Sequence, residues 1–133
     1  MQGQCLCGAV KVTVEDTEEF AVCHCGMCRQ WAGGPMMCLH CEEDIHVEGE
    51  DSVARYDSSE WAERCFCKSC GTHLFYHLKG QNQHFVSVGL FDNQHSFKMA
   101  HQIFIDKKPD YYAFSNQTPT MTEQQVFEMF APQ

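Results

Sequence analysis

Three cysteines set two and three residues apart, Cys23, Cys25 and Cys28 in the run Val22-Cys-His-Cys-Gly-Met-Cys-Arg-Gln-Trp31, are the residues best suited to chemistry. A zinc ion takes four ligands in a tetrahedron, so three thiolates leave one corner for water or an incoming group. That corner separates a catalytic site from a structural one. A fourth protein ligand, Cys65, Cys38 or His24, would close it. A second strong pattern is Cys67-x-x-Cys70 with Gly71 just beyond. In such a knuckle backbone amides turn toward the sulfurs, and a glycine after the second cysteine accepts the positive φ that the wrap demands. Cys5-x-Cys7 on an extended backbone places two more sulfurs on one face. The two pairs together would make a closed four-thiolate site that clips the N-terminal strand to the middle of the chain.

Cys38, Cys41 and Cys65 remain. Cys38-x-x-Cys41 offers a rival site, since Cys25, Cys28, Cys38 and Cys41 alone could enclose a zinc ion and leave Cys23 a bystander. Against this, Met36–Cys41 reads as a strand, where residues three apart face opposite sides. The same pair could serve as a thiol-disulfide redox couple, an activity that would survive metal removal. Cys65 alternates with Cys67, and both a buried spare and an alternative ligand stay open for it. His24, inside the trio, could support it or handle protons. His73, His77, His84, His95 and His101 share no metal spacing and read as surface or satisfied core residues.

The elements that must position these groups are mainly β. Val10, Val12 and Val14 alternate with Lys11, Thr13 and Glu15, the pattern of a half-buried strand, and an acidic turn through Glu19 ends it. After the trio, Gly33-Gly-Pro35 stops any helix begun there, and its glycines let a loop approach a metal or ligand closely. Trp31 would lie near the site, as a core aromatic or a stacking surface. Short strands are expected around Ile45–Val47 and Ser52–Tyr56, with a turn at Asp57–Glu60. His73–Lys79, His84–Leu90 and Ala100–Asp106 read as a meander of antiparallel strands, with Gly80–Gln83 and Asp92–Gln94 as its turns. Thr122-Glu-Gln-Gln125 has the capping-box pattern, and Val126, Met129 and Phe130 share a face, so a short amphipathic helix closes the chain.

The chain has 133 residues and a formal charge of -9. Loading seven thiolates with two zinc ions would take it to about -12. Such a surface repels phosphate backbones, and the nine basic residues form no patch, so nucleic acid is excluded as a partner. Met1–Cys5 has neither a basic nor an apolar leader region, and no run approaches a transmembrane length, so no membrane is expected. Ten cysteines at tight spacings then point to metal in a reducing cytoplasm instead of disulfides. One domain, residues 1–133, is expected at this length.

The ordered set Cys5-x-Cys7, Cys23-x-Cys25-x-x-Cys28 and Cys67-x-x-Cys70 resembles the glutathione-dependent formaldehyde-activating enzyme family, which includes centromere-protein-V-like domains. The likeness extends to Gly3, Gly8-Ala-Val10, Arg29, Gly33-Gly34, Phe66, Gly71-Thr72, Val88-Gly89-Leu90, Asp92, and His101 before Tyr111. Cys38 and Cys41 lie outside the family pattern, and Tyr111 stands where a tryptophan is usual. The resemblance implies a single β-tent zinc domain of several small antiparallel sheets with two zinc ions per chain. It assigns Cys5, Cys7, Cys67 and Cys70 to a structural zinc, and Cys23, Cys25 and Cys28 to a second zinc whose fourth position receives a thiol.

The implied function is a zinc-dependent carbon-sulfur lyase or synthase handling the adduct of a thiol and a small aldehyde, such as S-hydroxymethylglutathione from glutathione and formaldehyde. Three thiolates leave zinc with a net charge of minus one, which suits binding sulfur better than making hydroxide. An anionic thiol needs a local cation on so acidic a protein; Arg29 is nearest, with Lys68 a second choice. Arg29, Trp31, Gly33 and Gly34 are thus the expected substrate-binding residues. The alternative is a non-catalytic zinc module that binds a protein partner.

Overall fold

The structure, a computed structural model, describes residues 1–91 and 96–130. The expected turn at Asp92–Gln94, with the family-pattern residue Asp92, and His95 lie outside the described residues. In chain order the first strands are β1 (Gln2–Gln4), β2 (Lys11–Thr13), β3 (Glu19–Cys23), β4 (Met36–Cys41), β5 (His46–Glu48) and β6 (Val53–Asp57). They are followed by β7 (Ala62–Cys67), β8 (His73–Leu78), β9 (Gln83–Ser87), β10 (Lys98–Ile103) and β11 (Thr120–Met121). The helices are α1 (Gly26–Ala32) and α2 (Glu123–Phe130). The fold is mainly β, in several sheets, with the short C-terminal helix that the capping pattern predicts. Two compact units form, one of Met1–Glu18 and Cys38–Ser96, the other of Glu19–Met37 and Phe97–Gln133.

In the first unit β1, β2 and β5 make an antiparallel sheet, and Val10, Val12 and Val14 are buried as their alternation requires. A second antiparallel set runs β6-β7-β8-β9 and continues to the Cys38–Cys41 part of β4, which pairs with Ser87–His84. Its core is Leu39, Leu74, Phe75 and Val86, none more than 1% exposed. The β8–β9 connection is a 3-10 turn at Lys79–Gln81, closed by Asn82 at φ 48°. Val88–Leu90, expected as strand, is instead another 3-10 turn. His84 differs from the satisfied core histidine expected: it is buried, yet its Nδ1 has no hydrogen-bond partner among the described residues.

The second unit is built on β10, which pairs in parallel with β3 on one side and β11 on the other. The Ala100–Asp106 run therefore forms a strand only as far as Ile103, because Phe104 at φ 55° turns the chain into a 3-10 turn at Ile105–Lys107, and that strand does not extend the meander. Parallel partners need a long connection, and the Cys38–Ser96 stretch of the first unit lies between β3 and β10 in sequence, so nothing local could reveal this pairing. β3 itself falls in a stretch that the sequence presents as acidic turn and knuckle, although Ala21, Val22 and Cys23 are all buried. At the end of the chain the capping box closes as written. The Thr122 amide donates to Gln125 Oε1 (2.7 Å) and the Gln125 amide to Thr122 Oγ1 (3.2 Å). Val126 is buried, whereas Met129 is 58% exposed, so the apolar face of α2 is narrower than its pattern suggests.

Candidate metal centres

In the first unit the Sγ atoms of Cys5, Cys7, Cys67 and Cys70 all lie within 4.8 Å of one another. Cys5 Sγ is 3.6 Å from Cys7 Sγ, which is 3.7 Å from Cys67 Sγ. A zinc–sulfur bond of about 2.3 Å sets the edges of a tetrahedron at about 3.8 Å, so the spacing and the soft donors fit zinc. The local chain explains the convergence. After β7 the Cys67 carbonyl accepts from Gly71 N–H (2.8 Å), and Gly71 takes φ 78°, as the knuckle pattern predicts. Thr72 joins the two halves: its Oγ1 accepts from the Leu6 amide (3.1 Å) and lies 3.1 Å from Cys70 Sγ.

These contacts also set the protonation of the four sulfurs. Hydrogen bonds from the Thr72 hydroxyl and backbone pull the Cys70 thiol down to about 5. Burial pushes Cys5 up, but the Val10 amide (3.4 Å) and the Cys7 and Cys67 sulfurs outweigh it, and the net shift is downward. The Ala9 backbone favours a Cys7 thiolate, yet the Cys5 sulfur, burial and the Cys70 and Cys67 sulfurs together raise Cys7 to about 11. Sulfurs that compete for negative charge in this way are reconciled by a shared cation.

The second group is Cys23, Cys25 and Cys28, whose sulfurs also lie within 4.8 Å of one another. Among the described residues no fourth histidine, cysteine, aspartate or glutamate joins them at that spacing. Cys23 ends β3, Cys25 is the N-cap of α1, and Cys28 is buried in its first turn. The Cys25 sulfur accepts from the Cys28 amide (3.3 Å), which brings the two thiols onto one side of the helix start. Gly33 ends the helix at φ 82°, its amide donating to Arg29 O (2.8 Å). The Cys25 and Cys28 sulfurs, with burial added, push the Cys23 thiol far above the usual thiol range. Three thiolates this close coexist only around a cation, and the donor set again suits zinc.

His24, between two of these cysteines, is fully buried and is not a ligand. Its Nδ1 lies 2.8 Å from the Tyr112 hydroxyl and its Nε2 2.8 Å from Gln102 Oε1. Burial holds its pKa below the usual histidine value, and the nearby Lys108 and Arg29 charges add to this. A neutral ring has one N–H. Because the Gln102 amide nitrogen donates to Thr118 Oγ1 (3.2 Å), its oxygen is left to accept from His24 Nε2–H, and the Tyr112 O–H donates to Nδ1.

Of the expected substrate residues, Arg29, Trp31 and Gly33 lie on or at the end of α1, directly after Cys28, and Gly34 follows. Arg29 donates from Nε to the His24 carbonyl (3.0 Å), so it is tied to the trio's own backbone. Lys68 instead lies in the Cys67–Cys70 knuckle, where its amide donates to Ser52 O (2.7 Å). Neither Cys38 nor Cys41 joins a metal-capable group among the described residues, and both lie on β4 three residues apart. Cys65 is fully buried, 3.6 Å from Arg55 Nη1, and burial raises its thiol to about 12. No disulfide forms among the described residues. Tyr112 and Gln102 are the residues that sequence reading passes over. The adjacent Tyr111, which occupies the family's aromatic position, is 77% exposed.

A mainly β chain that carries two separate cysteine clusters, each able to hold a metal ion, defines the class. The comparisons make it specific: the glutathione-dependent formaldehyde-activating enzyme family matches residues 1–107, and the chain belongs to that family. An uncharacterized lyase of Schizosaccharomyces pombe is 37% identical over 130 residues, covering 96% of this chain and 94% of the relative. A crystal structure of a Rhodobacter sphaeroides protein shares the fold at TM-score 0.60 and 24% identity, over 70% of this chain and 89% of its own. The chain is an enzyme of the lyase type. No helix among the described residues is long and apolar enough to cross a membrane.

Proposed function

We propose that this protein is a zinc-dependent carbon-sulfur lyase acting on the adduct of a small-molecule thiol and a small aldehyde, with S-hydroxymethylglutathione as the expected case. The observation that carries the reading is the trio of converging sulfurs, which no fourth histidine, cysteine, aspartate or glutamate joins among the described residues. In it, Cys23, Cys25 and Cys28 hold one zinc ion and Cys5, Cys7, Cys67 and Cys70 a structural one. Each unit is assembled from two separated stretches of chain, so residues 1–133 are read as one domain. A reducing cytoplasm suits a protein that works through seven thiolates.

A zinc ion in the trio would lower the pKa of an entering thiol and hold it as a thiolate. In the synthetic direction the thiol sulfur adds to the carbonyl carbon, and the carbonyl oxygen takes up the proton that the thiol gave. The lyase direction reverses both transfers. The chain's own residues do the rest. Arg29 supplies positive charge beside the trio for an anionic thiol, in a protein whose formal charge is -9. Trp31 gives the thiol's backbone an apolar surface, and Gly33 and Gly34 let it come close.

The test is isotope exchange by NMR with labelled formaldehyde and glutathione, alongside metal analysis. Two zinc ions per chain are expected, with exchange accelerated over the spontaneous rate and lost in Cys25→Ser. Acceleration that persists in metal-free protein would sink the reading.

A further inference from the structure

The junction between β3 and α1 is a weak point in the geometry of the three-sulfur site. β3 ends at Cys23 and α1 begins at Gly26, so the peptide carrying Cys23 and Cys25 belongs to neither hydrogen-bond ladder in full. A swing at His24 would separate the two sulfurs. Yet His24 is held from four directions. Its amide donates to Ile103 O (3.1 Å), its carbonyl accepts from Arg29 Nε (3.0 Å), and Gln102 and Tyr112 hold the two ring nitrogens at 2.8 Å each.

Two of the groups behind this clamp come from an irregular stretch beyond residue 107, where the family match ends. Tyr112 is fixed there by Lys108, whose Nζ donates to Tyr112 O (2.6 Å) and Pro109 O (3.0 Å) and lies 5.2 Å over the Tyr112 ring. Thr118 fixes the Gln102 amide, and Tyr112 and Phe114 pack their rings against His24 at 5.5 and 6.0 Å. Nothing in regular secondary structure requires this stretch to follow such a path.

We infer that residues 108–118 form a positioning strap which, through the Tyr112 hydroxyl and the Gln102 amide on His24, holds Cys23, Cys25 and Cys28 ready for their metal. The inference rests on the reading of the trio as a metal site. Tyr112, Gln102 and His24 are positioning residues. Groups that orient a metal's ligands from behind carry about tenfold to a hundredfold in metal affinity, because the ligands are ordered before the ion arrives.

The experiment titrates the reduced 133-residue chain with Co2+, follows the thiolate charge-transfer and ligand-field bands, and measures zinc affinity by chelator competition. Wild type should take two equivalents. In Tyr112→Phe, which keeps the ring, the equivalent bound by the trio should weaken about tenfold to a hundredfold with altered ligand-field bands. The four-cysteine equivalent should keep its affinity, and Tyr111→Phe should match wild type at both sites. Should Tyr112→Phe fail to fold, Lys108→Met releases the strap with Tyr112 intact and should weaken the same equivalent severalfold. Unchanged affinity and bands at the trio, or equal weakening at both sites, overturns the strap. A wild-type chain that takes only one equivalent overturns the metal reading itself, and the strap with it.

Discussion

The two cysteine clusters use the same donor atom but differ in how far apart in sequence their ligands lie. Cys7 and Cys67, in one cluster, are separated by 60 residues. The trio comes from a single short run at a strand-to-helix junction. Closing a sixty-residue loop instead of a five-residue one costs about 2 kcal/mol more chain entropy, and a bound ion that holds the loop shut returns that to the folded state. On the proposed reading, metal in the long-loop cluster would stabilise the fold. In the trio it would close almost nothing, which would leave its coordination free to serve chemistry. Separation along the chain, not ligand type, would then divide structure from function.

The largest effect should come from Cys67→Ser. Cys67 is fully buried in the long-loop cluster, and structural zinc contributes on the order of 10 kcal/mol of folding energy. The cooperative thermal transition by circular dichroism should disappear; a melt within a few degrees of wild type would break the comparison. Next is Cys25→Ser. Serine caps a helix as well as cysteine does, so α1 should persist, with one metal equivalent and the lyase activity lost and the midpoint lowered by no more than about 5 °C. Loss of folding equal to that of Cys67→Ser would contradict the division.

A smaller effect sharpens the contrast, because it stabilises the first unit without metal. Burial, with His77 and Arg55 adding to it and Asp44 and Glu63 opposing, lowers His84 to about 4. The unfolded histidine titrates near 6.5, so the neutral ring's stabilisation is complete above that pH and is lost as the pH falls toward 4, a span worth roughly 3 kcal/mol. His84→Phe should flatten this part of the acid-unfolding curve in urea melts taken between these pH values. Smallest of all, Thr122→Ala removes the α2 cap and should cost about 1 kcal/mol in the same melts, with metal content at both clusters unchanged.

Much of this was legible in residue spacing. The knuckle at Cys67–Cys70 with its left-handed Gly71, the alternating valines in and beside β2, and the Thr122–Gln125 box are local patterns, and each forms as written. The missing pieces are non-local. The parallel β3–β10 pairing joins segments whose own patterns say strand but not partner. Of two adjacent tyrosines, the family position singled out Tyr111, and the structure uses Tyr112.

The sequence by itself determined which atoms can meet a metal, because ligand spacing within a turn or a strand is fixed by covalent geometry, and it determined the family through the order of those ligands. Only the tertiary structure decided what stands behind them. The partners of His24 lie 78 and 88 residues away, and which side chains a folded chain brings to a buried ring depends on packing over that distance, on which local propensity has no hold.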